Sequence, residues 1–88
     1  MKRLVNVTEV EGDGLVKLLG EQVQVWCLNY IYTGKLTGVN ERDLCLEDAS
    51  IVYETGKLTD KGFKDAQSVG VKEWFVRLDV VEAYALVK

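Results

Sequence analysis

The chain has 88 residues, of which 48% are hydrophobic and 28% charged, with a net charge of −3 and a pI near 4.9. A chain of this size forms one domain that buries only about 60 to 65% of its unfolded surface, so we expect a thin core. The composition is too apolar for a disordered chain, and the surplus of acids argues against a generic nucleic-acid binder, whose affinity comes from lysine and arginine.

The residue types present restrict the chemistry. The chain contains no histidine and only two cysteines, Cys27 and Cys45, both on strand-like segments. Zinc sites, Cys-His nucleophiles and Ser-His-Asp triads are therefore not expected. Glu47 and Asp48 are neighbouring carboxylates, but adjacent strand residues point to opposite faces and cannot share a substrate. We expect no enzyme, no metal site and no cofactor.

The sequence also bears on location. No window approaches the roughly 18 consecutive apolar residues of a membrane span, and residues 1–14 have no apolar run long enough for a signal peptide. We therefore expect a cytoplasmic protein with no membrane contact, in which the two cysteines are small buried hydrophobic residues.

The first predicted element is a helix of one or two turns within residues 12–20. Asp13 is placed to cap it, and a glycine follows its end. Leu15, Leu18 and Leu19 have the three-and-four spacing of a single apolar face.

Five predicted strands follow the helix. The residues of these strands alternate between two faces, as in the first strand, where Val23 and Val25 share one face and Trp26 lies on the other. The strands are expected at residues 22–28, 30–39, 44–55, 71–77 and 80–87. Gly34 and Gly38 interrupt the second strand and predict sharp bends or bulges there.

Pairs of apolar residues predict which faces of the later strands are buried. Leu44 and Leu46 share one face of the third strand, and Trp74 and Val76 share one face of the fourth, with Phe75 opposite. A long polar connection of about residues 55–70 separates these two strands. The sequence predicts a mainly β fold, a small, strongly bent, five-stranded antiparallel barrel, closed or nearly closed, with a short N-terminal helix. Residues 1–88 form this single domain.

A motif of glycine, hydrophobic and polar residues runs from the second strand into the third. In order it contains Gly34, Leu36, Val39, Asn40, Leu44, Leu46, Asp48 and Ala49. This order resembles the first motif of the Sm and Sm-like proteins, and residues 74–81 resemble their second motif. The resemblance covers the chain from residue 15 onward. It implies a ring-forming barrel that binds RNA at the knuckle between the second and third strands.

The chain departs from the family pattern at the knuckle. Asn40 stands where the family has Asp and Asp43 where it has Asn, with one residue fewer between them, and Arg42 is the only side chain there that could stack on a base. Arg77 matches the arginine of the second motif, but Leu78 replaces its glycine. These departures predict a divergent branch, such as a phage-encoded or environmental bacterial member. The resemblance implies that Asn40, Arg42, Asp43 and Arg77 contact nucleic acid.

The same knuckle residues also have purely structural interpretations. Asn40 and Asp43 suit a turn, because Asn and Asp side chains bond to their own backbone. Arg77 can pair with Asp79 or Asp43 instead of meeting a nucleotide.

A second candidate contact lies in the long connection. Lys61, Phe63 and Lys64 combine a stacking ring with positive charge, as single-strand binding requires, although lysines in such a segment are more often simply solvated.

Our leading hypothesis is a noncatalytic Sm-like homo-oligomeric ring of about five to seven subunits that binds single-stranded RNA, or DNA, in RNA processing or regulation. The alternative is a structural or adaptor β-barrel that mediates protein–protein assembly without nucleic acid. The two hypotheses differ in whether Arg42, Arg77 and the lysine-rich connection converge on one face. If they scatter, the adaptor hypothesis gains.

Overall fold

The computed structural model describes residues 14–87, which form one antiparallel sheet and two short 3₁₀ helices. In chain order the elements are a first 3₁₀ helix (Leu15–Leu18), β1 (Gln22–Cys27), β2 (Ile31–Val39), β3 (Asp43–Glu54), β4 (Asp65–Ser68), β5 (Glu73–Arg77), a second 3₁₀ helix (Leu78–Val80) and β6 (Val81–Leu86). The prediction of a mainly β antiparallel fold is confirmed. Neither helix in this part of the chain is long and apolar enough to cross a membrane.

The longest strand, β3, organises the sheet. It pairs with β2 along one edge over nearly its whole length of 12 residues. Along its other edge the first half pairs with β5 and the second half with β4, so β5 and β4 lie end to end. Between them, the Asp48 N–H donates to the Lys72 carbonyl at 3.0 Å and the Val69 N–H donates to the Ala49 carbonyl at 3.0 Å. β1 extends the sheet beyond β2, and β6 lies beyond β1.

Strand β4 was not expected from the sequence. It lies in the segment predicted to be a connection, so the count of five strands is one too few. All four of its side chains are exposed, and they are polar except for Ala66, so they show no apolar alternation. The strand forms because the second half of β3 offers it backbone partners, from Ser50 opposite Ser68 to Glu54 opposite Asp65.

The predicted bends in β2 are confirmed. Its pairing with β3 is irregular at two places, around Gly34 and just before Gly38. At Gly34 the two strands approach so closely that an added Cβ would lie 3.1 Å from the Ala49 Cα and 3.1 Å from the Glu47 carbonyl oxygen. A Cβ here would be tighter than ordinary packing against backbone atoms, which favours glycine where the register of β2 and β3 shifts.

The core lies on one face of the curved sheet. Its largest fully buried side chains are Val23, Val25, Leu36, Leu44 and Leu46. Val76 joins them from β5, whereas Phe75 is exposed. The predicted inward faces of β1, β3 and β5 are therefore confirmed. Removing each such side chain from water contributes about 1.5 to 3 kcal/mol to the stability of the fold.

The predicted N-terminal helix is only a four-residue 3₁₀ turn in the part of the chain that the structure describes. Its predicted cap, Asp13, lies outside the described residues. A 3₁₀ helix has three residues per turn, so Leu15 and Leu18 fall on one side, and both pack on the core. Leu19 already has an extended backbone and is 43% exposed, so its predicted place on the apolar face is wrong.

The sheet is not closed. Within residues 14–87, β5 pairs only with β3 and β6 pairs only with β1. The second 3₁₀ helix joins β5 to β6 and is held by two backbone bonds, from the Leu78 N–H to the Arg42 carbonyl at 2.7 Å and from the Leu28 N–H to the Val80 carbonyl at 3.0 Å. Since β4 also pairs only with β3 in this part of the chain, the sheet has open edges at β4, β5 and β6 and does not complete the predicted barrel.

Candidate nucleic-acid interface

The turn between β2 and β3 is shaped by Asn40. Its side-chain Oδ1 accepts hydrogen bonds from the backbone N–H groups of Arg42 and Asp43, both at 2.8 Å. Its own N–H donates to the Asp43 carbonyl at 2.9 Å. The structural interpretation of Asn40 is confirmed, because the amide oxygen holds the turn that presents Arg42.

Arg42 and Arg77 come together in one shallow pocket, which we call the arginine pocket. The pocket has a volume of about 460 Å³ and is lined by Glu41, Arg42, Asp43, Arg77, Leu78 and Asp79. Two features of the fold place the arginines there. Asp43 at the start of β3 is the pairing partner of Arg77 at the end of β5, and the Leu78 N–H is bonded to the Arg42 carbonyl.

The charges in the arginine pocket are mixed. Two guanidinium groups stand against three carboxylates, those of Glu41, Asp43 and Asp79. The Arg77 Nη2 lies 2.7 Å from the Asp79 Oδ2, as the structural interpretation of this arginine predicted. Both side chains are largely exposed, and such pairs contribute only about 0 to 1 kcal/mol, so Arg77 can leave Asp79 for a phosphate at small cost.

The lysine-rich connection of about residues 55–70 lies away from the arginine pocket. Phe63 lines a second cavity of about 220 Å³, which we call the loop cleft. The loop cleft is lined by Gln24, Trp26, Thr55, Lys57, Leu58, Asp60, Gly62, Phe63 and Val87. The arginine pocket adjoins the first residue of β3 and the loop cleft begins at the residue after its last, so the predicted contacts fall at opposite ends of this strand. Lys61 and Lys64 flank Phe63 in sequence but are not among the lining residues.

The loop that forms the cleft is closed on itself. At its base, the Lys64 N–H donates to the Thr55 carbonyl at 3.3 Å. Gly56 sits against this closure with φ of 72°, and a Cβ there would lie 3.2 Å from the Lys64 Cβ. A turn within the loop is fixed by the Asp60 N–H, which donates to the Lys57 carbonyl at 3.0 Å. Phe63 is thereby held beside β1.

Trp26 is the residue of this site that the sequence interpretation missed. It lies on the face of β1 opposite the buried Val23 and Val25, and it is half-buried under the loop. Its indole N–H donates to the Gln24 Oε1 at 2.8 Å, and the Gln24 Nε2 donates to the Leu86 carbonyl at 2.9 Å. The alternation of β1 placed Trp26 outside the core, but nothing in the sequence indicated that the distant loop would lie over it.

A third surface is aromatic. The Tyr32 ring lies 6.1 Å from the Tyr30 ring and 6.0 Å from the Trp74 ring. These rings and Cys27 line a cavity of about 290 Å³ that also adjoins the exposed Phe75. Tyr32 and Trp74 pack between different strands, whereas Tyr30 and Tyr32 are neighbours along one segment, and tilted rings at this spacing are common in both cases.

Cys27 and Tyr32 on this surface have altered acidity. Burial raises the pKa of the Cys27 thiol, and the negative charge of Glu82 raises that pKa further. Burial likewise raises the pKa of Tyr32. The thiolate is the nucleophilic form of cysteine, and a raised pKa keeps Cys27 protonated at neutral pH. The residue suits packing rather than covalent chemistry.

The structure therefore divides the predicted contacts between two places. Asn40, Arg42, Asp43 and Arg77 meet around the arginine pocket, whereas Phe63 belongs to the loop cleft. Similarity assigns no role to either place, since no protein-family model matches the chain and no curated protein matches it.

Proposed function

We propose that the chain is a noncatalytic Sm-like domain that assembles into a homo-oligomeric ring and binds single-stranded nucleic acid, RNA in preference to DNA. The observation that carries the proposal is the meeting of Arg42 and Arg77, which come from separate elements and line one open pocket. Planar guanidinium groups can both bind phosphates and stack on bases. The proposal includes a cytoplasmic location, with which the two free cysteines are consistent.

Self-assembly is supported by the open edges of the sheet. Among the described residues, β4, β5 and β6 each have one edge without a strand partner. Unpaired edges favour pairing with another chain. Phe75 on β5 and Leu86 on β6 are exposed apolar residues that such pairing would cover. In the proposed ring, β5 of one subunit pairs with β6 of the next, and this head-to-tail contact closes after about five to seven copies.

Assembly also bears on affinity. A single arginine pocket holds more carboxylates than guanidinium groups, so one copy would bind a phosphate weakly. A ring repeats the pocket once in every subunit, and one strand of nucleic acid can then contact several pockets at high effective concentration. We therefore expect the weak binding at single pockets to add up to a measurable affinity only in the assembled protein.

The nucleic-acid proposal is tested by fluorescence anisotropy with labelled oligo-uridine, oligo-adenosine and matching single-stranded DNA at two salt concentrations. We expect saturable binding that weakens as salt rises, because binding to phosphates releases counterions. Arg42→Ala and Arg77→Ala should each weaken binding and lower the salt slope by about 1 for each lost phosphate contact.

The matched control for these variants is Lys35→Ala. Lys35 is an exposed cation on β2 that is not among the residues lining the arginine pocket. It removes the same charge elsewhere, so its effect should be clearly smaller. Equal losses in all three variants would mean that only net charge matters, and absence of binding at low salt by a well-formed oligomer would contradict the proposal.

The second candidate function is a protein adaptor. It is favoured by the distance of the lysine-rich connection from the two arginines, since these groups do not converge on one face. The three carboxylates of the arginine pocket and the exposed Phe75 and Leu28 would also suit a protein partner better than a polyanion. An oligomer that forms normally but binds none of the oligonucleotides would support this alternative.

A further inference from the structure

The loop cleft places two aromatic side chains beside one cavity. Trp26 comes from β1 and Phe63 from the loop that follows β3, and both line the same space of about 220 Å³. Sites for drug-sized ligands measure about 300 to 1,000 Å³, so this cleft is sized for one planar group. Thr55 and Gln24 add polar groups to its wall.

Trp26 is held in a fixed orientation. Its indole N–H is already bonded to Gln24, which is in turn bonded to the backbone of β6 at Leu86. The polar edge of the indole is thus satisfied by the protein, and the ring offers a ligand mainly its apolar face. Stacking is the interaction that such a face supports best.

The charge at the lining of the loop cleft is balanced, and the surrounding loop is slightly positive. Residues 57–65 carry three lysines, Lys57, Lys61 and Lys64, against the two aspartates Asp60 and Asp65. Lys57 lines the cleft directly, together with Asp60. A loop with one more lysine than aspartates, in a chain with a net charge of −3, thus lies beside the two cleft aromatics. A base with a phosphate attached combines both features.

We propose that the loop cleft is a second, separate contact site that stacks one nucleobase against Trp26 and Phe63, with Lys57 beside its phosphate. The site lies at the end of β3 away from the arginine pocket. The inference rests on the proposed function for the class of ligand, a single-stranded nucleic acid. The geometry of the cleft belongs to each subunit and does not depend on a ring.

The test uses the protein labelled with 5-fluorotryptophan, since the chain has only two tryptophans, Trp26 and Trp74. Fluorine NMR then gives two resonances, which are assigned with Trp74→Phe or Trp26→Phe, whichever variant folds. The probes are uridine and adenosine 5′-monophosphate, with ribose 5-phosphate as the ligand that lacks a base. We expect the Trp26 resonance to shift with both nucleotides and not with ribose 5-phosphate, while Trp74 stays in place.

Variants then locate the stacking contact. Phe63→Ala should weaken the nucleotide titration about 5- to 150-fold, the range for loss of one base-stacking contact. Tyr53→Ala is the matched control, because Tyr53 is an exposed aromatic residue that does not line the cleft. It should leave the titration unchanged. No shift of the Trp26 resonance with either nucleotide, or an equal shift with ribose 5-phosphate, would overturn the proposal.

The same titration separates this inference from the proposed function. Arg42→Ala should not alter the response of Trp26 to mononucleotides. If the Trp26 resonance responds but neither arginine substitution weakens oligonucleotide binding, the arginine pocket is not the binding site, and the proposal for the loop cleft stands. If the arginine substitutions weaken oligonucleotide binding and the Trp26 resonance does not respond, the proposal for the loop cleft fails and the proposed function stands.

Discussion

The absence of a side chain at Gly34 allows β2 and β3 to approach each other closely. At Gly34 the backbone of β2 lies against Leu46, Glu47 and Ala49 of β3, and two of the three nearest atoms to an added Cβ are backbone atoms. Backbone in a paired strand cannot move aside as a flexible side chain can. The register of the two strands also shifts at this point, between Thr33 and Lys35.

Gly34→Ala is therefore expected to destabilise the protein by about 1 to 3 kcal/mol, the usual cost of overpacking. Gly38→Ala is the matched control in the same strand, because its Cβ would meet only the Cys45 Cβ, at an ordinary 3.7 Å. Urea unfolding at one fixed protein concentration measures both. Similar unfolding free energies for the two variants would contradict the role assigned to Gly34.

The residues of the candidate site were predictable to different degrees. The bond pattern of Asn40 and the pairing of Arg77 with Asp79 follow from local chemistry, because the partners are two or three residues apart. The meeting of Arg42 with Arg77 was implied by the family resemblance rather than by spacing. The contribution of Trp26 to the loop cleft depends on a loop more than 30 residues away, which no local pattern reveals.

At the scale of elements, the buried strands were predictable and the exposed one was not. β1, β3 and β5 show alternation because one face is buried, and their inward residues were identified correctly. β4 has no buried face, so its existence depends on the partner that β3 provides. The first 3₁₀ helix differs from the predicted helix for a related reason, because its form is set by packing on the core rather than by intrinsic propensity.

The prediction that the protein assembles through its edge strands can be tested by substitution. Phe75→Lys should shift the protein toward smaller species, since it places a charge on the exposed face of an edge strand. Tyr53→Lys is the matched control: Tyr53 and Phe75 are both 62% exposed, but Tyr53 lies on β3, which has partners on both edges. Its assembly state should be unchanged. Light scattering across a range of concentrations measures both variants, and an unaltered mass for Phe75→Lys would count against the β5 edge.

At the scale of the whole molecule, the two candidate contacts lie at opposite ends of the longest strand. In the proposed function each end would bind by different groups, guanidinium groups at the arginine pocket and aromatic rings at the loop cleft. In a ring with all subunits oriented alike, each kind of contact would be repeated around one circle. A single strand could then contact several copies of either site.

The most direct test of the central claim is native mass spectrometry of the protein mixed with a single-stranded oligo-uridine. The account predicts one closed oligomer of about five to seven subunits carrying a bound oligonucleotide, with no continuous series of larger species. A monomer at concentrations well above those of the binding experiments would contradict the proposed assembly. A discrete oligomer that never carries the oligonucleotide would contradict the nucleic-acid function and support the adaptor.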